Sequence, residues 1–587
     1  MESTKSEEDN VRMDTPPRKR QVVYGVEDHP HFLLWPVFGF QQIIVCISGT
    51  LSIPFLVTSY ICADGLLDVR AKLMSITFFM CGVATILQDT LGIRLPIIQG
   101  GSHTFIPPIA AMMALEKWRC PSEPVPSNTT QPWEIRMREI QGNLMLASIT
   151  QVIIGLTGLV GFLLRFIGPL TIAPTIALIG ISLSGVVIRF SQPHWGIAML
   201  TVALILLFCL FLSGIKIPTP AFKRSKGCHI SRYPLFQVAP ILLGVAVSWL
   251  LSYILTETDV FTSNSTLPAY RARTDVSIDV LNNAPWFYFP YPLQFGIPTI
   301  SAAGYIGLLA ATISSVIESM GDYYACARLS EAPPPPPHAI NRGIAIEGFS
   351  SIISGLVGAG NATTSYSGNI GEIAVTKVAS RRVFQCAGVI LIICGVIGKF
   401  GAVITLIPDP VIGGLNTVSL GLVTAVGMSA LQYCDMSSSR NLTIIGVSFM
   451  LGIAVPQYLE SNPDAIDTGS KEFDQVLNVL LGTAMFVGGI LGCILDNIVP
   501  GTLEERGMLA WRKAAEGSTD SKDYQRASIE MYDLPYVSKL LRRIGCCRYV
   551  PFMPGFSPDL CCSCKSHADP HPVLHVYEQP VILEERL

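Results

Sequence analysis

The stretch Ser314-Ser-Val-Ile-Glu-Ser-Met-Gly-Asp-Tyr-Tyr-Ala-Cys-Ala-Arg328 closes a long apolar run and sets two carboxylates, Glu318 and Asp322, four residues apart. That spacing puts both on one face of a helix. A carboxylate at the middle of a bilayer costs about 2.5–3.5 kcal/mol on insertion scales, and two on one face also repel. A bound cation, protonation of one member, or a ligand donating hydrogen bonds would each account for the pair. Asp322, with nearby hydroxyls and carbonyls, has the oxygen chemistry of a Na⁺ site. Glu318 lies deeper and suits the N–H or O–H groups of a polar solute. The competing reading is an interfacial pair at the cytoplasmic end, neutralised by Arg328.

Two further stretches do not fit a plain helix. They are Gln99-Gly-Gly-Ser-His-Thr-Phe-Ile-Pro-Pro108 and Gly358-Ala-Gly-Asn-Ala-Thr-Thr-Ser-Tyr-Ser-Gly-Asn-Ile-Gly371. Each lies between hydrophobic runs and leads into a short helical segment. Unwound backbone inside a bilayer survives only in a protein-lined cavity, because lipid offers no hydrogen bonds. Half-helix N-termini would then present free N–H groups and a partial positive charge. Close helix packing is the other use of such glycines. His103, in the first stretch, is either a satisfied core histidine or a ligand group. Gln41 and Gln42 can bind a solute or a neighbouring helix. Glu372 faces either a cavity or the surface, and Asp496 reads as a cap or a partner of the tail.

These residues need elements to hold them, and composition says which. Half of the 587 residues are apolar, 14% are charged, and 50 are Gly and 41 Pro. Mean hydropathy is +0.47. Ordinary soluble domains carry about 25% charged residues. Disorder, a basic nucleic-acid binder and a string of soluble domains are thereby excluded. The net charge of −3 says nothing about partners. The sixteen cysteines suggest no disulfide framework. Cys561-Cys-Ser-Cys564 with His567 matches no standard zinc spacing. Pro333–Pro337 reads as a stiff inner spacer.

Runs long enough to span fall near 34–57, 72–91, 99–115, 143–163, 168–188, 196–214, 236–255, 298–320, 343–358, 368–380, 383–403, 405–430, 442–459 and 475–497. This gives an all-α polytopic membrane protein of about fourteen segments, with the third and tenth broken. The broken pair implies two halves of seven in inverted repeat. The first 30 residues are polar, so no signal peptide is expected, and Arg18, Lys19 and Arg20 argue for a cytoplasmic N-terminus. Loops 215–235, 327–342 and 377–382 carry the basic residues and fall inside on the same count. The sequons at Asn128 and Asn264 then fall outside, in glycosylation-competent loops. Those at Asn361 and Asn441 fall at membrane depth or inside and are read as chance. No phosphate-binding loop, HExxH or nucleophile–base pair is present, so an enzyme is not expected.

The string Gly368-Asn-Ile-Gly-Glu-Ile-Ala-Val-Thr-Lys377 resembles the signature of the nucleobase–ascorbate transporter family. Gly92-Ile-Arg-Leu-Pro96, Glu318 to Leu329, Pro333 to Gly343 and Met485-Phe-Val-Gly-Gly489 resemble its vertebrate branch of sodium-dependent vitamin C and nucleobase transporters. The likeness runs over about residues 30–510. It implies a seven-plus-seven repeat split into core and gate domains, a homodimer and elevator-like motion. On that pattern residues 1–31 are a cytoplasmic tail, 32–163 and 298–403 the core, 164–297 and 404–500 the gate, and 501–587 a cytoplasmic tail. It also implies that Glu318 grips the solute and Asp322 helps to hold Na⁺. Asn369, Gly368, Ser102, His103 and Gln42 complete the site. No cofactor is expected beyond Na⁺ as coupling ion; the partners are solute, Na⁺, lipid and a second copy at the plasma membrane.

The chain departs from the vitamin C carriers in two places. Gly368 stands where they have Pro, and Gly100-Gly-Ser-His-Thr-Phe105 replaces Ala-Ser-Ala-Phe-Ala-Phe. A wall of Ala and Phe has become polar. Glu318 can accept from ring N–H groups, while His103 and freed N–H groups can donate to ring carbonyls. An acidic site is less welcoming to the ascorbate anion. The sequence therefore favours Na⁺-coupled symport of a nucleobase, with ascorbate as the alternative and an anion exchanger or channel behind both.

Overall fold

Apolar runs punctuated by Pro and Gly become helices that start and stop at those residues. The computed structural model describes residues 22–63, 66–118, 120, 131–163, 166–223, 227–264, 266–276, 278–462, 465–509, 531–534, 538 and 550–553. The first group of elements is α1 (Trp35–Thr50), α2 (Ser52–Tyr60), α3 (Leu67–Thr90), β1 (Gln99–Gly101), α4 (Ile106–Met113) and α5 (Pro132–Thr157). Then come α6 (Pro169–Ser182), α7 (Ser184–Ser191), α8 (Trp195–Leu206), the hairpin β2 (Ile217–Lys223) and β3 (Gly227–Tyr233), and α9 (Pro240–Glu257). The chain continues through α10 (Ala302–Leu329), α11 (Pro337–Val357), β4 (Thr363–Ser365), α12 (Ser367–Thr376), α13 (Arg381–Val396) and α14 (Gly398–Ile404). Last are α15 (Asp409–Ser429), α16 (Ser439–Ser461), α17 (Lys471–Leu481) and α18 (Ala484–Ile498).

Proline sits in the first turn of α1, α5, α6, α9, α11 and α15. There its missing N–H is no loss and its φ is already helical. The Pro run therefore does more than space an inner loop, since Pro337 opens α11. Gly158 (φ 72°) and Gly358 (φ 80°) end α5 and α11 in the left-handed conformation that other residues resist.

Among the described residues, eight helices are long and apolar enough to cross a membrane, or nine if the bent pair α17–α18 counts as one span. That pair turns by 80° at a short break, where a single helix was expected over 475–497. Gly482, with its low helix preference, sits at the break, and the Thr483 hydroxyl bonds back to Val479 O (2.7 Å). Two small sheets, β1–β4 and β2–β3, also amend the all-α expectation.

The packing partners come in matched pairs. α3 lies against α13, and α5 against α11; α1 against α12, and α10 against α4; α1 against α13, and α10 against α5. Likewise α6 meets α18 and α16, while α15 meets α9 and α8. Each first pair maps onto its second if the chain is halved before α10 and the halves exchanged. Gly82 on α3 and Gly155 on α5 serve these contacts. A Cβ at Gly82 would strike Gly388 O, and one at Gly155 would approach Ala345 N at 2.5 Å.

Side chains turned outward are apolar: Ile149, Ile153, Val389, Ile393, Leu422 and Met450 are all exposed. On a water-soluble protein such patches would drive association; here they are the lipid face. Cys62, just after α2, is joined to Cys120 by a disulfide, which the scattered cysteines did not announce. It closes a loop with a sequence separation of 58 residues. Cys62→Ser is expected to lower thermal stability, with roughly 2–4 kcal/mol as the typical scale of such a link. A melting curve on the purified variant, with and without reductant on the parent, checks this.

The described parts of the C-terminal region pack against the helices. Asp496 accepts from Arg440 Nη2 (3.1 Å) and Arg506 Nη2 (3.0 Å), so the expected pairing with the tail is met. Further on, Arg342 Nη2 donates to Tyr532 O (2.6 Å) and the Tyr532 hydroxyl to Pro333 O (2.5 Å). The Cys561–Cys564 cluster, His567 and Asn128 lie outside the described residues.

Candidate functional site

The two Gly-rich stretches meet. β1 and β4 run antiparallel with Gln99 opposite Ser365, Gly100 opposite Thr364 and Gly101 opposite Thr363, all buried. Tyr366 N donates to Ile98 O (3.0 Å) and Ser102 N to Ala362 O (3.1 Å), extending the ladder at both ends. Backbone released from helix in the interior must find partners, and each stretch supplies the other's. Glycine is needed at position 100, where a Cβ would press on the Tyr366 ring. The tenth segment consequently starts at Thr363, five residues before the boundary read at 368.

Helix α10 lies across this crossing and contacts both stretches through one face. The Thr104 hydroxyl donates to Glu318 Oε2 (3.0 Å). One turn on, Ser365 Oγ donates to Asp322 Oδ2 (2.7 Å) and Ser367 Oγ to Asp322 Oδ1 (2.8 Å). Between them, Ser315 Oγ donates to Thr364 Oγ1 (3.2 Å), and Ser319 Oγ pairs with the same hydroxyl (3.0 Å). The carboxylate pair therefore bridges the two interrupted segments. Among the described residues neither acid forms an ion pair with Lys or Arg, so Arg328, which is exposed, does not neutralise them.

The other expected site residues fall around this centre. The Asn369 amide donates to Gln42 O (2.7 Å) and Gln42 Oε1 (2.9 Å), locking α12 onto α1. Asn369 Oδ1 is buried with no partner among the described residues, and so is the Ser102 hydroxyl. His103 Nε2 shares a hydrogen with Ser52 Oγ (2.9 Å). Gly368 is exposed at the start of α12, beside the N–H groups of its first turn. Gln42 serves helix bonding. So does Gln41, whose amide donates to Glu372 Oε1 (2.8 Å); Glu372 is thus buried against α1 and not on the surface.

Several contributors carry no candidate role in the sequence reading. Glu347 on α11 is 1% exposed, and its Oε1 accepts Ser365 N (2.9 Å). With the Gln99 amide turned to satisfy both its atoms, its nitrogen donates to Thr364 O (3.2 Å) and Glu347 Oε1 (3.1 Å). Glu347 Oε2 has no partner among the described residues. The signal was available: it is an acid inside the apolar run 343–358. Thr104, Ser365, Ser367 and Tyr366 matter through contact alone, which no pattern of residue types reveals. Glu347→Ala would strip acceptors from Ser365 N and Gln99 and loosen the β1–β4 crossing. At about 1–3 kcal/mol for each buried donor left unpaired, melting temperature and solute binding should both fall. Thermal melts and binding on the same preparation check this.

Among the described residues no group of three His, Cys, Asp or Glu side chains could hold a metal ion. Asp322 with two hydroxyls is a different kind of centre, built of the hard oxygen donors a small cation takes. Asn361 and Asn441 are buried, which rules out their sequons. Asn264 is exposed, and its Oδ1 accepts from Thr266 N (3.0 Å) and Thr266 Oγ1 (2.8 Å).

Known proteins resemble this chain over most of its length. A family model described as the permease family matches residues 34–461. Solute carrier family 23 member 2 of Mus musculus is 46% identical over 547 residues, covering 92% of this chain and 84% of that protein. Solute carrier family 23 member 1 of Mus musculus is 44% identical over 545 residues, covering 92% and 89%. Nucleobase-ascorbate transporter 1 of Arabidopsis thaliana is 33% identical over 528 residues, covering 88% and 96%. A solved structure of the murine solute carrier 26 family member A9 anion transporter aligns with TM-score 0.44 at 11% identity, covering 81% of this chain and 69% of that one. On the family match and these relatives, the chain belongs to the nucleobase–ascorbate transporter family of permeases.

Proposed function

We propose that this permease is a Na⁺-coupled symporter of a nucleobase, uracil or a purine base, at the plasma membrane. The observation that carries the reading is the bridge made by Glu318 and Asp322 between the two interrupted segments. Glu318 accepts ring N–H groups of the solute. The N–H groups opening α12 at Gly368, the Ser102 hydroxyl and His103 donate to its carbonyls, and Asn369 Oδ1 accepts a further N–H. Asp322 with Ser365 and Ser367 holds Na⁺ one helical turn away. Binding the cation lifts the repulsion between the two acids, so ion and solute favour each other.

Fourteen segments in a seven-plus-seven inverted repeat form a core (32–163 and 298–403) that moves as an elevator against a gate (164–297 and 404–500), in a homodimer with both tails cytoplasmic. The pairing of α3–α13 with α5–α11 supports the repeat. The Cys62–Cys120 disulfide supports an outward position for these two residues, which follow α2 and α4, since such bonds persist in oxidising compartments. Asn264 is then a glycosylation site on the same side, as is Asn128.

A second reading, ascorbate, has one observation in its favour. Arg70, Arg271 and Arg273 line a cavity of about 110 Å³ that also holds Asp409 and would lie on the outer side. A positive vestibule would collect an anion. However, Asp409 already meets Arg70 (3.3 Å) and Arg271 (3.6 Å), and Asp275 meets Arg273 (2.8 Å). The nucleobase reading therefore stands first. Uptake of labelled uracil, hypoxanthine and ascorbate, each with Na⁺ replaced by choline, decides. Saturable nucleobase uptake that collapses in choline is expected. Ascorbate uptake alone would overturn the solute assignment, and uptake indifferent to Na⁺ would overturn the coupling.

A further inference from the structure

Between Asp279 and Glu318 the chain has no charged residue, and its first part reads Pro285-Trp-Phe-Tyr-Phe-Pro-Tyr-Pro-Leu293. This segment is tied to the molecule by its backbone. Tyr288 N donates to Val396 O (2.8 Å), Gly398 N to Trp286 O (3.1 Å), Leu293 N to Leu356 O (2.8 Å) and Thr299 N to Arg138 O (3.1 Å). Its partners lie at the end of α13, the start of α14, the end of α11 and near the start of α5. The segment therefore skirts one end of the core helices and is bonded to them, although it falls within the stretch 164–297 read as gate. Inward it plants Phe295, edge-on to Trp133 at 5.3 Å, and Tyr288, which bonds Gln294. Phe289 rests one edge against Phe79 of α3 (5.4 Å between centroids), while Trp286 and Phe287 have no such ring partner among the described residues. Trp286 is 69% exposed, Phe287 79%, Phe289 66% and Ile297 80%.

Water is a poor environment for four such outward side chains within twelve residues, and lipid is a good one. The exposed set is continuous with the lipid face: Ile393 lies one turn before Val396 on α13, and Phe349 two turns before Leu356 on α11, and both are exposed. The ring types match the boundary between headgroups and acyl chains, where Trp and Tyr keep an apolar body in lipid and a polar edge in water. Lys399 Nζ, above the Trp286 ring at 5.9 Å from its centroid, gives the segment a cation at headgroup level. We propose that residues 286–297 form an interfacial strap whose outward rings insert into the lipid headgroup–acyl boundary at the end where α11 and α13 finish.

The test uses the purified full chain in lipid discs. The chain has 7 Trp, so the signal is the difference in emission between the parent and Trp286→Phe. Bromines placed near the lipid headgroup should quench that difference emission more than bromines near the bilayer midplane, and its spectrum should be blue-shifted from water. A second variant, Phe289→Trp in the Trp286→Phe background, moves the reporter and should show the same order of quenching. Difference emission open to aqueous acrylamide and untouched by either lipid would overturn the strap. So would emission shielded from both lipids that responds to the number of copies per disc, which would make a second chain the occupant.

Discussion

Uptake by Glu318→Gln is expected to fall by at least 10- to 150-fold, the equivalent of about 1.5–3 kcal/mol for one lost hydrogen bond to a charged group. The replacement keeps size and shape. Its amide oxygen can still accept from Thr104, whose hydroxyl now lies 3.0 Å from Glu318 Oε2. The other end becomes an NH₂ facing the solute, donor against donor. The loss therefore comprises a charge-assisted bond and a new unpaired donor. Initial rates with labelled nucleobase, corrected for surface protein by biotinylation, measure it. A channel on the same framework would keep its conductance or only change selectivity.

Asp322→Asn is expected to break the system differently. Ser365 and Ser367 can turn their hydroxyls to suit an amide, so the contacts at 2.7 Å and 2.8 Å survive in altered form and the fold persists. What is removed is the one negative charge in a ring of hydroxyl oxygens, and a cation held at an effective dielectric near 20 draws about 4 kcal/mol from such a charge at 4 Å. Na⁺ activation should shift to far higher concentration or vanish, while weak, Na⁺-independent solute binding remains. The readout is the Na⁺ dependence of uptake and of equilibrium binding. Unchanged Na⁺ activation in this variant would place the cation elsewhere.

The chain is a multi-pass membrane permease for a small-molecule solute, and no enzyme. How much of this was legible depended on contrast. Glu318 and Asp322 stood out because charge is rare in apolar runs, and both proved to face the crossing of the two Gly-rich stretches. Those stretches were legible as interruptions because Gly and small polar residues cluster there. Their pairing was not, because strands of three residues carry no periodicity. The start of α5 was hidden for the opposite reason. Glu134, Arg136, Arg138 and Glu139 depress hydropathy over its first turns, so a span read from 143 begins at Pro132. Roles that depend on a distant partner could not be assigned from types alone: Gln42 proved to hold Asn369, and Gln41 to hold Glu372.

Equilibrium binding of a labelled nucleobase to the purified chain, in Na⁺ and in choline, tests the bridge between the interrupted helices most directly. Saturable binding is expected that needs Na⁺, that unlabelled uracil or purine displaces better than ascorbate does, and that Glu318→Gln abolishes. Binding at equal strength in choline, or binding that Glu318→Gln leaves intact, would contradict it.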